Sequence, residues 1–157
     1  MPKSVSLLWR SEQDTASWAA RLAREPALHD ALITLQGDLG AGKTAFARHL
    51  LRALGVTGPV KSPTYAVVEP HETPDGLPIW HFDFYRFSDP HELEDAGLRE
   101  LLVENGLKLA EWPEHAGPLL PAADLALAIE ITGETERRVT VTAGTDAGSA
   151  ILCNLSP

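Results

Sequence analysis

The order of apolar and polar positions cuts this 157-residue chain into short apolar runs and stretches of helical spacing that alternate along its length. Val5 to Trp9 reads as a strand. Ser11-Glu12-Gln13-Asp14 follows as a helix start, with Ser11 as N-cap and acids in the first turn, leading into Trp18, Ala19, Leu22 and Ala23 until Pro26 stops it. Ala31 to Gln36 is a short buried strand, and residues 43 to 54 carry apolar side chains at helical spacing up to Gly55. Thr64 to Val68 and Ile79 to Tyr85 read as two strands of a hairpin around the turn Thr73-Pro74-Asp75-Gly76. Ser88-Asp89-Pro90 starts a helix over His91 to Ala96, with Gly97 near its end and a further helical piece to about Glu104. Leu107 to Trp112 is a strand ending in an acid, and Pro113, Pro118 and Pro121 rule out a long helix beyond it. Leu125 to Ile131 and Arg137 to Thr142 are late strands joined by the turn Gly133 to Glu136, and Ala150 to Leu155 is read as one more.

The mixture of strands and helices predicts an α/β fold, and the length suits a single domain over residues 1 to 157. No repeat, linker or low-complexity tract interrupts it, and no apolar run approaches a membrane span. The first ten residues lack a signal peptide's apolar region and cleavage site. One cysteine, Cys153, has no internal disulfide partner, so the expected setting is a reducing cytoplasm. Thirteen Lys and Arg stand against twenty-two Asp and Glu, a formal charge of −9, which disfavours a phosphate-gripping basic stripe. Any nucleic acid is therefore expected to be held by a partner.

The chemistry is announced between the second strand and the helix after it. Gly37-Asp38-Leu39-Gly40-Ala41-Gly42-Lys43-Thr44 has the form G-x-x-x-x-G-K-[ST] in the strand, loop, helix setting that a phosphate-binding loop requires. Glycines without a Cβ let the backbone curl with N–H groups inward, and the helix N-terminus faces the anion. Lys43 brings a cation to the β- and γ-phosphates, and the Thr44 hydroxyl is placed to ligate Mg²⁺. A nucleoside triphosphate is the expected ligand.

Mg²⁺ at such a loop takes a further carboxylate from the end of a neighbouring strand, and two acids compete for that duty. Glu111 closes an apolar strand and would lie at the carboxyl edge of the sheet; the plain alternative is a strand-end acid facing water. Asp83 shares a face with His81 and Tyr85, while Phe82, Phe84 and Arg86 share the other; the plain alternative is the solvated face of a hairpin.

Taken together, residues 37 to 44, Lys61-Ser62-Pro63-Thr64-Tyr65, His81-Phe82-Asp83-Phe84-Tyr85-Arg86, Asp89-Pro90-His91-Glu92-Leu93-Glu94 and Glu111-Trp112-Pro113-Glu114 closely resemble the bacterial TsaE family, over about residues 10 to 125. The resemblance implies a P-loop NTPase core with a mixed central sheet flanked by helices. It implies a small ATPase that supports threonylcarbamoyladenosine formation on tRNA with TsaB and TsaD, touching tRNA only through that complex. Carried over by position, it assigns Gly37, Asp38, Leu39, Gly40, Ala41, Gly42, Lys43, Thr44 and Ala45 to phosphate binding, and Thr44 with Glu111 to Mg²⁺. Asp83 becomes the residue that orients the attacking water, beside Lys43. Ser62-Pro63-Thr64 resembles a switch loop facing the γ-phosphate, Trp112 flanks the nucleotide, and Ser11 and Thr15 lie near the adenine. Two positions depart from the family pattern: Ala45 stands where a second Thr is common, and Phe84 where Leu is usual.

Other groups weigh less. The six histidines lack zinc-ligand spacing and read as surface or structural groups, and Cys153 reads as a small packing or surface residue. Arg86 fits either a phosphate-facing cation or a structural ion pair. Two other functions compete with the ATPase: a small-molecule kinase, which needs an acceptor pocket and an Arg-rich lid, and a non-hydrolysing nucleotide-sensing adaptor. A GTPase is disfavoured because Asn-Lys-x-Asp and D-x-x-G are both missing.

Overall fold

The computed structural model describes residues 3–60, 63, 67–89, 92 and 97–155. Along the chain these form β1 (Lys3–Trp9), α1 (Glu12–Ala23), β2 (Leu32–Gln36), α2 (Lys43–Ala53), β3 (Val68–Glu72) and β4 (Pro78–Asp83). They continue through α3 (Leu98–Leu102), β5 (Leu107–Glu111), β6 (Leu125–Ile131), β7 (Arg137–Ala143) and α4 (Asp146–Leu155). Among the described residues the strands make one seven-stranded sheet in the order β1-β7-β6-β2-β5-β4-β3.

Its centre is parallel: β2 lies between β5 and β6, and β4 joins β5. Parallel neighbours need long crossovers, and strands covered on both faces lose the polar alternation of an open sheet. That is why all five residues of β5 and the first four of β2 are buried. The margins are antiparallel, with β6, β7 and β1 on one side and the β3–β4 hairpin on the other. The sheet is thus the mixed, helix-flanked one expected.

Each face has its own apolar layer. On one, α1 and α2 press Trp18, Leu22, Phe46 and Leu50 against Ile33, Leu35 and Leu109. Trp9, Trp18 and Phe46 meet there with ring centroids 5.7 to 5.9 Å apart. On the other, Phe82, Phe84 and Phe87 pack with Leu98, Leu102 and Ala110. Phe84 is fully buried in this second layer, as expected of the core face.

Two sequence expectations change, and a third falls outside the described residues. Ala150 to Leu155 is not a strand but part of α4, because Gly148, Ile151, Leu152 and Leu155 follow the i, i+3, i+4, i+7 spacing of one helix face. The Thr145 hydroxyl accepts from the Gly148 N–H at 3.1 Å and opens that helix, whereas a six-residue apolar run viewed alone fits either element. Of the strand expected over Thr64 to Val68, residues 64 to 66 lie outside the described residues; Val67 has a φ of 69° and β3 begins only at Val68. The helix expected over His91 to Ala96 lies outside them too, apart from Glu92, whose carboxylate accepts from the backbone N–H groups of Ser88 and Asp89, both at 3.2 Å.

Helix α4 sits so close to the start of β6 that a Cβ on Gly148 would lie 1.8 Å from the Asp124 carbonyl oxygen. Gly148→Ala is expected to cost about 2 kcal/mol by forcing the helix off the sheet, read as a lower urea midpoint with an unchanged slope.

Candidate nucleotide site

The carboxyl ends of β2, β4 and β5 form one edge of the parallel core, and the pairing register puts Leu35 and Asp83 on either side of Glu111. Strand spacing of about 4.8 Å therefore brings the loop after β2 and both competing acids into one neighbourhood. At Gly37 the chain leaves β2 so near β6 that a Cβ would lie 2.5 Å from the Ile129 carbonyl oxygen. Gly42, at the N-cap of α2, has a φ of 108°, open only to glycine at low cost. Between these two points the loop turns back on itself, with the Ala41 N–H donating to the Asp38 carbonyl at 3.0 Å.

Lys43 is 5% exposed and lies along the inside of the loop. Its Nζ donates to the carbonyls of Gly37 and Asp38, the second at 3.0 Å, and stands 4.1 Å from the centroid of the Trp112 ring. Burial pushes its ammonium below the ordinary lysine range; the negative charges of Glu111, Glu114, Asp83 and Asp38 oppose that shift. Trp112 has a left-handed backbone, φ 56° and ψ 50°, directly after β5. It packs against Tyr85 at 4.9 Å and His115 at 5.4 Å, so the cation rests under an aromatic roof.

The acids are both buried, each 2% exposed, so neither plain alternative holds: Glu111 does not face water and the Asp83 face of β4 is not solvated. Thr44 Oγ1 lies 3.0 Å from each Glu111 oxygen and donates to that carboxylate. His81, fully buried, donates from Nε2 to Glu111 Oε2 at 2.7 Å. Asp83 Oδ1 accepts the Tyr85 N–H at 2.9 Å, an Asx-type turn that fixes the carboxylate at the strand end. Leu39, Gly40, Ala41, Gly42, Lys43, Thr44, Ala45, Asp83, Tyr85, Glu111 and Trp112 line a single cavity of about 390 Å³.

A second cavity of about 390 Å³ lies on the other side of the loop and shares Gly40, Ala41, Gly42 and Ala45 with the first. Ser11 and Thr15 line it from α1, where the Ser11 hydroxyl also accepts the Asp14 N–H at 3.3 Å as the expected N-cap. Glu12 and Arg48 stand at the same wall, 3.1 Å apart; hydrogen bonds from His49 and Arg48 hold the Glu12 carboxyl below its usual range. Glu134 and Thr135 of the β6–β7 turn and Arg137 at the start of β7 close it.

The predicted residues are thus gathered in two adjoining hollows, with Ser11 and Thr15 in one, Asp83, Glu111 and Trp112 in the other, and the loop between. Thr64 and Ser62 lie outside the described residues; Pro63 is buried, and its carbonyl accepts the Val67 N–H at 2.6 Å. Among the residues that build the site without a role implied by the sequence are His81 and Arg137. Sequence alone reads His81 as a surface or structural histidine, although it shares a strand face with Asp83. Arg137 carries no local signal of its reach to the glycine loop, since its partners there are the backbone carbonyls of Ala41 and Gly40, 96 and 97 residues away.

Fold and loop together define a protein of the P-loop NTPase type, with a mixed sheet and the loop at the carboxyl edge of its parallel strands. The family model described as "Threonylcarbamoyl adenosine biosynthesis protein TsaE" matches residues 9–139, and the chain belongs to the TsaE family. It is 37% identical over 156 residues to the tRNA threonylcarbamoyladenosine biosynthesis protein TsaE of Haemophilus influenzae, covering 99% of this chain and 95% of that one. To the protein of the same description from Bacillus subtilis it is 39% identical over 139 residues, 87% of this chain and 85% of the relative. The crystal structure of Bacillus subtilis YdiB superimposes with a TM-score of 0.81 at 29% identity, covering 99% of this chain and 95% of the other.

Removing the imidazole would leave the buried Glu111 carboxylate short of a donor. His81→Ala is therefore expected to cost about 2 kcal/mol of stability. In a double-mutant cycle measured by urea unfolding, His81→Ala combined with Glu111→Gln should cost less than the two single changes added together.

Proposed function

We propose that this protein binds and hydrolyses ATP as an accessory to threonylcarbamoyladenosine modification of tRNA, acting with TsaB and TsaD. The observation that carries the reading is the convergence of Lys43, Thr44, Asp83 and Glu111 on one cavity beside the glycine loop. Family membership supplies the pathway, and the formal charge of −9 suits a protein that leaves tRNA to its partners.

In this reading the triphosphate lies along residues 37 to 45, and Ala45 contributes its backbone N–H without the hydroxyl of a threonine. Lys43 exchanges the Gly37 and Asp38 carbonyls for phosphate oxygens. The Thr44 hydroxyl and the Glu111 carboxylate are hard oxygen donors held side by side, and their sparse number fits Mg²⁺, which keeps water and phosphate oxygens as its other ligands. Thr44 and Glu111 would hold that ion, which when bound neutralises charge building on the phosphate oxygens. Asp83, oriented by the Tyr85 N–H, positions a water for in-line attack on the γ-phosphorus; the bond to the β-phosphate oxygen breaks and ADP leaves. Lys43 and the loop N–H groups absorb the charge moving onto the leaving oxygen. Ser11 and Thr15 in the second cavity face the nucleoside end. A cytoplasmic setting suits the free, exposed Cys153.

Phosphate release from ATP, measured with and without TsaB and TsaD from the same source, tests the reading. The pair should stimulate release, Lys43→Ala should abolish both stimulation and ADP binding, and Asp83→Ala should lower turnover by about 10²-fold while retaining ADP. Turnover of Asp83→Ala equal to the parent's removes Asp83 from the chemistry. Unstimulated protein that still binds ATP favours the adaptor, and transfer to an added metabolite favours the kinase.

A further inference from the structure

Arg137 opens β7, paired with Trp9 of β1 on one side and Ile131 of β6 on the other. In the sheet order β7 stands two strands from β2, about 10 Å away, a span suited to an arginine's length. Its guanidinium reaches the glycine loop and donates there from Nε to the Ala41 carbonyl at 2.9 Å, with a longer contact to the Gly40 carbonyl at 3.4 Å. The same group holds the β6–β7 turn through the carbonyls of Gly133 at 3.0 Å and Glu136 at 2.9 Å.

The direction of these bonds matters. A loop that cradles an anion must turn N–H groups inward, which leaves carbonyls pointing outward. In a trans, planar peptide the C=O and the next residue's N–H point in opposite directions. Fixing the Ala41 carbonyl on Arg137 therefore turns the Gly42 N–H away from the guanidinium, and Gly42 lines the phosphate cavity. A permanent cation behind the loop also adds positive potential where the anion sits.

We infer that Arg137 is a positioning residue for the polyphosphate: a strut from β7 that sets the orientation of the Gly40–Gly42 peptides and so favours nucleoside di- and triphosphates over monophosphates. The inference rests on the nucleotide reading of the site. It assigns the arginine to the phosphate loop although it also lines the cavity facing Ser11 and Thr15.

Calorimetric titration of AMP and ADP into the parent, Arg137→Gln and Arg137→Lys separates the possibilities. Arg137→Gln is expected to weaken ADP by about tenfold, the equivalent of ~1.4 kcal/mol, and AMP by much less, so the ratio of the two affinities contracts. Arg137→Lys keeps the charge without the planar fork and should fall between; where Arg137→Gln does not fold, Arg137→Lys is read by the same ratio. Equal losses for AMP and ADP would make the arginine a wall of the nucleoside cavity or a general prop of the fold, and overturn the inference. ADP affinity unchanged in both variants overturns it as well. A parent that binds no ADP removes the nucleotide reading itself, an outcome distinct from a parent that binds while the variants match it.

Discussion

A carboxylate withdrawn from water has to be met by donors, and Glu111 is met from two elements at once, Thr44 at the start of α2 and His81 within β4. Burial of an unanswered charge costs several kcal/mol, so this meeting constrains its neighbours as much as it satisfies the acid. It ties the first turn of the helix that carries the glycine loop to the strand ends of the sheet. If Glu111 turned outward, the Thr44 hydroxyl would lose its partner, His81 would keep two buried nitrogens unanswered rather than Nδ1 alone, and the loop would lose its tie to the acid edge. The site's geometry and the local stability of the sheet edge therefore depend on the same three side chains.

The parallel pairing of β4, β5 and β2 makes such a meeting possible without any long-range coincidence. Once three strands run the same way in register, their carboxyl ends deliver Asp83, Glu111 and the glycine loop to one edge. The loop itself is bounded by close approaches, with Gly37 against the Ile129 carbonyl on one side and Arg137 against the outward carbonyls on another. The loop backbone is thus held in place from two sides by groups outside it.

Much of this was legible from residues alone. The spacing of Gly37, Gly42, Lys43 and Thr44 between an apolar run and a helical one located the loop, since only glycine tolerates those turns and approaches. Glu111 could be placed at a strand end because Leu107 to Ala110 gave it a buried strand to terminate. What stayed hidden depended on distance in sequence. His81 could be seen on the Asp83 face, but a histidine has no spacing that announces a carboxylate 30 residues away. Arg137 reaches carbonyls 96 and 97 residues earlier, and backbone carbonyls leave no trace in a sequence pattern. For Ala150 to Leu155 so short an apolar run does not decide the element; the local Thr145 cap and the tertiary seating of Gly148 against Asp124 do.

The resting position of Lys43 links these constraints to chemistry. Its ammonium is held by two loop carbonyls and an indole face, in surroundings that disfavour its charge by burial. Carbonyl dipoles and a π-face are weaker partners for a cation than phosphate oxygens carrying full negative charge. The proposed polyphosphate would therefore compete against a holding arrangement that keeps the lysine ordered and close. Trp112 belongs to the turn immediately after Glu111, its ring packs on Tyr85 two residues beyond Asp83, and the Lys43 ammonium rests over that ring, so a shift of the lysine would be felt by this aromatic group. Lys43 and the surface around Tyr85 and Trp112 are in this way linked by direct contact, over one side chain's length.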